Sequence, residues 1–297
     1  MRAGESTAAR SIPVFYRPEM TAVSRFFAPG TFKPAACVKD WTEHELPIAV
    51  CGFEPATAED LCLAHDPRYV EGVLAGRLRN GFGGRQADVA ASLPYTTGAM
   101  MAAAEEAVLN GGVACAPVSG FHHAHYDAAA GYCTFNGLVV AARHLQQQGY
   151  AQRIGILDLD QHYGDGTDQI LQRLGLGGIR HVTAGMHTRS ARDAVPFLRE
   201  LPDLVRSFER CQVLLYQAGA DPHVDDPLGG WMTTAQLAER DRMVFEAARQ
   251  IGLPVAWNLA GGYQRDGDGS IAPVLEIHRN TMRACVRVHM ADVVDLD

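Results

Sequence analysis

The sequence predicts an α/β fold, a three-layer α/β/α sandwich around a mainly parallel sheet. Three features predict it. Short apolar runs are continuous rather than alternating, helical stretches separate them, and each run ends in glycine or a polar break. Continuous apolarity suits strands covered on both faces, and strand alternating with helix is the pattern of crossover connections.

The predicted strands are residues 12–16, 112–118, 154–157, 179–183, 213–216 and 254–259. The spacing predicts a helix over 97–109, rich in Ala and Met, with Gly112 as its stop. A second, over 137–148, carries Leu138, Val139, Ala142 and Leu145 at helical spacing and ends near Gly149. A third, over 234–250, opens on a Thr cap and repeats Leu237, Met243, Val244 and Ala247. Residues 272–286 read as a terminal helix. Residues 81–84, Gly-rich but without a strand-turn-helix setting, read as an ordinary surface turn.

The chain of 297 residues is 47% hydrophobic and 20% charged, with a formal charge of -8. This is globular composition, and scattered acidic residues argue against a nucleic-acid footprint while suiting a cationic substrate. The length allows one α/β unit: residues 1–11, small and polar, are expected to be a flexible terminus, and 12–297 one catalytic domain. No stretch has the length and apolarity of a membrane span, and the start lacks an apolar signal core. Seven cysteines, odd in number and without a Cys-x-x-Cys pair, read as buried thiols. A reducing, cytoplasmic location is therefore expected, with no membrane partner and with homo-oligomerisation left open.

Chemistry concentrates where the strands end. Ligands in open α/β sheets bind beyond the carboxyl ends of the strands. After the run at 154–157 come Asp158, Asp160, His162 and Asp165, with Gly164 and Gly166 between them. Residues two apart in an extended segment share a face, so Asp158, Asp160 and His162 point one way. A second strand end supplies Asp221, with His223 competing as a ligand. His223, Asp225 and Asp226 otherwise read as solvated loop residues. Two carboxylates and one imidazole leave a position open for water, as a catalytic zinc site requires; iron(II) suits the same donors. After the run at 112–118 come His122 and His123, imidazoles suited to proton transfer at neutral pH. Asp158 and Asp165 are available to fix their tautomers, and His125 reads as a surface or supporting residue. At the last strand end, Gly261-Gly262-Tyr263 can direct a hydroxyl at a developing oxyanion.

Together these segments resemble the zinc-dependent histone deacetylase family, which includes acetylpolyamine amidohydrolases and acetoin-utilisation proteins. The resemblance begins at Val14 to Glu19, continues through His65 to Leu74, and is strong at His122-His123, Gly131 to Asn136, Asp158 to Thr167, Gly219 to Gly230 and Gly261 to Tyr263. It implies an arginase/deacetylase-like fold and zinc held by Asp160, His162 and Asp221. His123 would be general base and then acid, with His122 assisting electrostatically. Asp158 would orient His122, and Asp165 would orient His123. Tyr263 would stabilise the oxyanion. Gly131, Tyr132 and Phe121 would line an acyl-lysine tunnel, with Leu228 as an apolar wall. The implied reaction is hydrolysis of an acylated amine, either acyl-lysine or a small-molecule amide.

The sequence also departs from the family. Phe121, Tyr163 and Ala260 stand where other residues are usual, and the interval from His187 to Tyr216 is short. The missing rim loop implies a more open mouth, or a rim supplied by another segment or subunit. A structural potassium is often found near the acidic strand end; Gly185 stands here where the family has a hydroxyl, which argues against the ion. Three other readings compete: acetylpolyamine hydrolysis, two-manganese arginase-like chemistry, and a degenerate binding protein.

Overall fold

The computed structural model describes residues 11–187 and 189–290. The expected flexible terminus therefore falls, apart from Ser11, outside the described residues. Among these, seven strands form one all-parallel sheet: β1 (Ile12–Phe15), β2 (Ile48–Cys51), β3 (Val113–Ala116), β4 (Ile154–Asp158), β5 (Ile179–Thr183), β6 (Val213–Gly219) and β7 (Val255–Ala260). Their order is β2-β1-β3-β7-β6-β4-β5. The three-layer α/β/α arrangement agrees with the sequence-based expectation. All six predicted strands are present; β2 is the addition, a four-residue edge strand partly open to solvent. β3, β4, β6 and β7 are buried at every position, which is why their sequence is continuously apolar.

The helices are α1 (Lys33–Glu43), α2 (Ala58–Leu61), α3 (Pro67–Leu74), α4 (Ala87–Asn110), α5 (Gly137–Gln147), α6 (Asp165–Leu174), α7 (Ala194–Arg206), α8 (Thr234–Gln250) and α9 (Ala272–His289). One core joins α1, α7, α8 and α9 to one sheet face through Trp41, Phe208, Phe245 and Trp257. The other joins α3 to α6 to the opposite face through Tyr69, Met100, Leu138 and Ile170.

Several boundaries correct the sequence reading. α4 starts ten residues before the expected 97 and carries Pro94 within it. Its left-handed terminal residue is Gly111 (φ 63°), not Gly112. The cap of α8 is Thr233, whose side chain accepts from Gln236 N while Gln236 reaches back to Thr233 N. The 81–84 turn is more than a surface feature: Gly81 O accepts from Tyr132 N, and Phe82 enters the aromatic cluster described below.

Arg240 of α8 ties this scaffold to the strand ends. It is 1% exposed, and its Nε donates to Asp241 at 2.7 Å. Its Nη1 donates to the carbonyls of Leu159 (3.1 Å) and Gly219 (2.8 Å), one just beyond β4 and the other closing β6. Asp241 also accepts from the hydroxyls of Tyr216 and Thr281. Removing one partner leaves the other charge buried and uncompensated. Arg240→Met is therefore expected to lower unfolding stability by about 3–5 kcal/mol, measured by urea denaturation; an unchanged midpoint would refute the clamp.

Candidate active site

Because every strand runs the same way, the carboxyl ends of β3, β7, β6 and β4 lie side by side, and the residues flagged in the sequence meet beyond them. Asp160 and His162 follow β4, and Asp221 follows β6. One ligand atom from each lies within 4.8 Å of the others. His162 Nδ1 is 3.2 Å from Asp160 Oδ1 and 2.9 Å from Asp221 Oδ2. Asp160 and Asp221 are 2% and 0% exposed.

The electrostatics of this cluster call for a cation. Burial, and then the neighbouring Asp160 charge, push the Asp221 carboxyl up to about 7. The two carboxylates raise His162 to about 10. Asp221 Oδ2 is buried and, although 2.9 Å from His162 Nδ1, is out of line for a hydrogen bond to it. Hard oxygen donors, one imidazole and an orphaned buried oxygen fit a divalent ion. Gly261 makes the fit possible: at φ 50°, a Cβ there would lie 2.2 Å from the Asp221 carboxyl carbon.

Beside the cluster stand the two histidines, ring centroids 4.1 Å apart. His122 is buried; its Nδ1 is 2.7 Å from Asp158 Oδ2 and its Nε2 is 3.6 Å from Asp160 Oδ1. Burial pulls its pKa down, but Asp158 and Asp160 outweigh that and raise it to about 9. His123 Nδ1 is 2.6 Å from Asp165 Oδ1. Burial and the adjacent His122 lower the His123 pKa against the opposing pull of Asp165. Two neighbouring imidazoles are thus driven apart: their surroundings favour the charged form of His122 and disfavour that of His123.

The fourth strand end brings Tyr263, whose backbone N–H donates to Asp226 Oδ2 at 2.8 Å. Burial, then Asp221 and Asp160, raise its phenol pKa, so it stays a proton donor. Tyr263, Tyr132, Phe82, Cys133, His122 and Asp160 line one cavity. Gly131 stands over His123, where a Cβ would lie 2.3 Å from the ring. Tyr132 is held at φ 65°, a left-handed conformation costing about 1–3 kcal/mol for such a residue. Phe121 packs on Gly137 and lines an adjoining cavity with Met20 and Leu93, which Phe82, Tyr132 and Cys133 also line. Leu228 is 39% exposed on the loop after β6 and lines neither cavity. His125 supports the site: its Nδ1 lies 3.0 Å from His123 O.

The rim comes from an unexpected place. Phe27 stacks on Tyr263 at 5.9 Å and an interplanar angle of 8°, and Phe26 packs on Phe82 at 4.7 Å. This segment near the N-terminus supplies aromatic surface in a chain whose interval after His187 is short.

Other supporting residues escaped the sequence reading, although each left a signal. Gln217, a polar residue inside a buried strand, donates to Asp158 Oδ1 (2.9 Å) and accepts from Phe121 N (3.0 Å). Lys33, fully buried, donates to Gly261 O; it shares a helical stripe with Cys37 and Trp41. His223 and Asp226 are buried rather than solvated, and His223 Nε2 is 2.9 Å from Thr234 Oγ1, so neither is the loop residue expected. Asp225 is exposed as expected.

The acidic strand end lacks one of the ligands that the family resemblance implies for a structural potassium. Asp158 Oδ1 already accepts from Gln217 and Asp160 N, while Oδ2 meets His122. Gly185 offers no hydroxyl, and any Cβ there would lie 2.1 Å from the His162 carbonyl carbon.

Comparisons with known proteins identify the family. The histone deacetylase domain model matches residues 35–189 and 181–275. An uncharacterized protein of Picosynechococcus sp. is 34% identical over 232 residues, covering 69% of this chain and 75% of its own. A probable deacetylase of Methanothermobacter thermautotrophicus is 26% identical, covering 73% of this chain and 75% of its own. Chloroplastic histone deacetylase 10 of Oryza sativa subsp. japonica is 26% identical over 73% of this chain and 59% of its own. The solved HD domain of HDA15 shares the fold, with a TM-score of 0.74 over 95% of this chain and 88% of its own at 18% identity. The chain belongs to the histone deacetylase family.

Proposed function

We propose that residues 12–297 form one metal-dependent deacylase domain that hydrolyses the amide of an acylated amine, an acyl-lysine or a small-molecule amide. The observation that carries this reading is the meeting of Asp160, His162 and Asp221 beside His123 and Tyr263. Zinc or iron(II) held by the three ligands would supply a Lewis acid that acidifies water and polarises a carbonyl.

The chain's own groups do the rest. Asp165 holds a proton on His123 Nδ1, leaving Nε2 to take one from the attacking water and return it to the departing amine. His122, kept cationic by Asp158, stabilises negative charge as it develops. The Tyr263 hydroxyl donates to the carbonyl oxygen, and its advantage grows as that oxygen becomes anionic. Tyr132, Phe82 and Phe27 cover the approach and exclude water.

Removal of either proton-handling group tests the reading. His123→Ala and Tyr263→Phe are each expected to lower kcat on fluorogenic acyl-lysines by about 100-fold or more, with metal content unchanged. Equal, negligible rates in wild type and both variants across acyl-lysines and acetylated polyamines would favour a binding protein. Turnover of acetylpolyamine far above acyl-lysine would redirect the substrate assignment.

The pH profile follows from His123. A general base works deprotonated, and burial with the His122 charge places its pKa below the ordinary 6.5. The acid limb of kcat/KM is expected below pH 6.5. Asp165→Asn removes an influence that raises this pKa, so it should move the limb further down while slowing turnover. An acid limb moving upward in that variant would contradict the assignment of His123.

A further inference from the structure

Asp158 is the buried carboxylate that His122 leans on, and a second imidazole stands on its other side. The pairing of β4 with β5 sets Ile156 opposite His181 and Asp158 opposite Thr183, so Asp158 and His181 face the same side of the sheet. The His181 side chain is 2% exposed. Its Nδ1 lies 2.7 Å from Asp168 Oδ1, which requires a proton on that nitrogen. Its Nε2 is 3.9 Å from Asp158 Oδ2 and, although buried, has no hydrogen-bond partner. Asp168 Oδ2 accepts in turn from the exposed Tyr163 hydroxyl at 2.5 Å.

A bare nitrogen lone pair turned toward a buried carboxylate would repel it, whereas an N–H attracts it. We infer that His181 is a positioning residue for the His122–Asp158 pair: oriented by Asp168, its ring presents a second N–H, and with it a positive charge, to the outer side of Asp158. Burial opposes that charge, but Asp158 and Asp168 outweigh it and raise the His181 pKa. Two imidazoles therefore flank one carboxylate. Asp158 stays anionic in a dry site, and its oxygen stays aimed at His122 Nδ1. The counter-charge comes from the chain itself, at a strand end where Gly185 offers no hydroxyl to a cation. The kinetic consequence rests on the deacylase reading; the structural claim does not.

The test uses the zinc-loaded full chain with ¹⁵N-labelled histidine, with His181→Gln and Asp168→Asn as variants. In the wild type at neutral pH, both His181 ring nitrogens are expected to be protonated. In both variants the His122 Nδ1–H resonance should move, and kcat should fall about tenfold at unchanged KM. Wild-type spectra and rates should be the same in potassium and sodium buffers. An unprotonated His181 Nε2, or wild-type His122 resonance and kcat in the variants, overturns the inference. So does a His122 resonance that follows potassium. If His181→Gln fails to fold, Asp168→Asn and the wild-type spectrum still decide. If no acyl amine is turned over, the deacylase reading fails while the spectra still decide the role of His181.

Discussion

Two carboxylates, Asp160 and Asp221, are brought together out of water with only one imidazole between them, and much of the structure exists to hold that arrangement. Like charges in a dry place repel, and the rise of Asp221 to about 7 expresses the cost. The parallel sheet imposes this crowding by placing neighbouring strand ends at one edge. The surroundings then hold it rigidly. Arg240 bridges the backbone at Leu159 and Gly219, Lys33 holds Gly261 O, and Gly261 leaves room for the Asp221 carboxylate. A cation is the natural resolution, and His162 completes its donor set.

The proton-handling pair depends on the same field. His122 lies against Asp158 and Asp160 and is driven toward the charged form; that charge helps keep His123 neutral. Adjacent residues of one chemical type are thus shifted in opposite directions by their surroundings. Gln217 links the loop bearing them to Asp158, so the orientation of the pair is fixed from the centre of the sheet.

Much of the site was legible in the sequence because its signal is local. The two-residue spacing of Asp158, Asp160 and His162 survives in the fold, as does the placement of Asp221 and Tyr263 just past buried strands. What was not legible depends on long-range packing. Lys33 and Arg240 belong to residue types that normally face water, and only the sheet shows that they are buried. Phe27 reaches Tyr263 across more than two hundred residues of sequence. β2 is as long as β1 and β3 but, as an edge strand, only partly buried. Leu228 and Phe121 share the local signals of the site, yet loop geometry turns one outward and packing on Gly137 draws the other inward.

In the proposed site, Asp160, His162 and Asp221 hold one divalent ion beside Tyr263. Anomalous diffraction at the zinc edge, from crystals of the zinc-loaded chain, tests it most directly. A single peak is expected about 2.0–2.2 Å from one atom of each of the three residues. Two peaks side by side, a peak on a cysteine sulfur, or none between these side chains would contradict it.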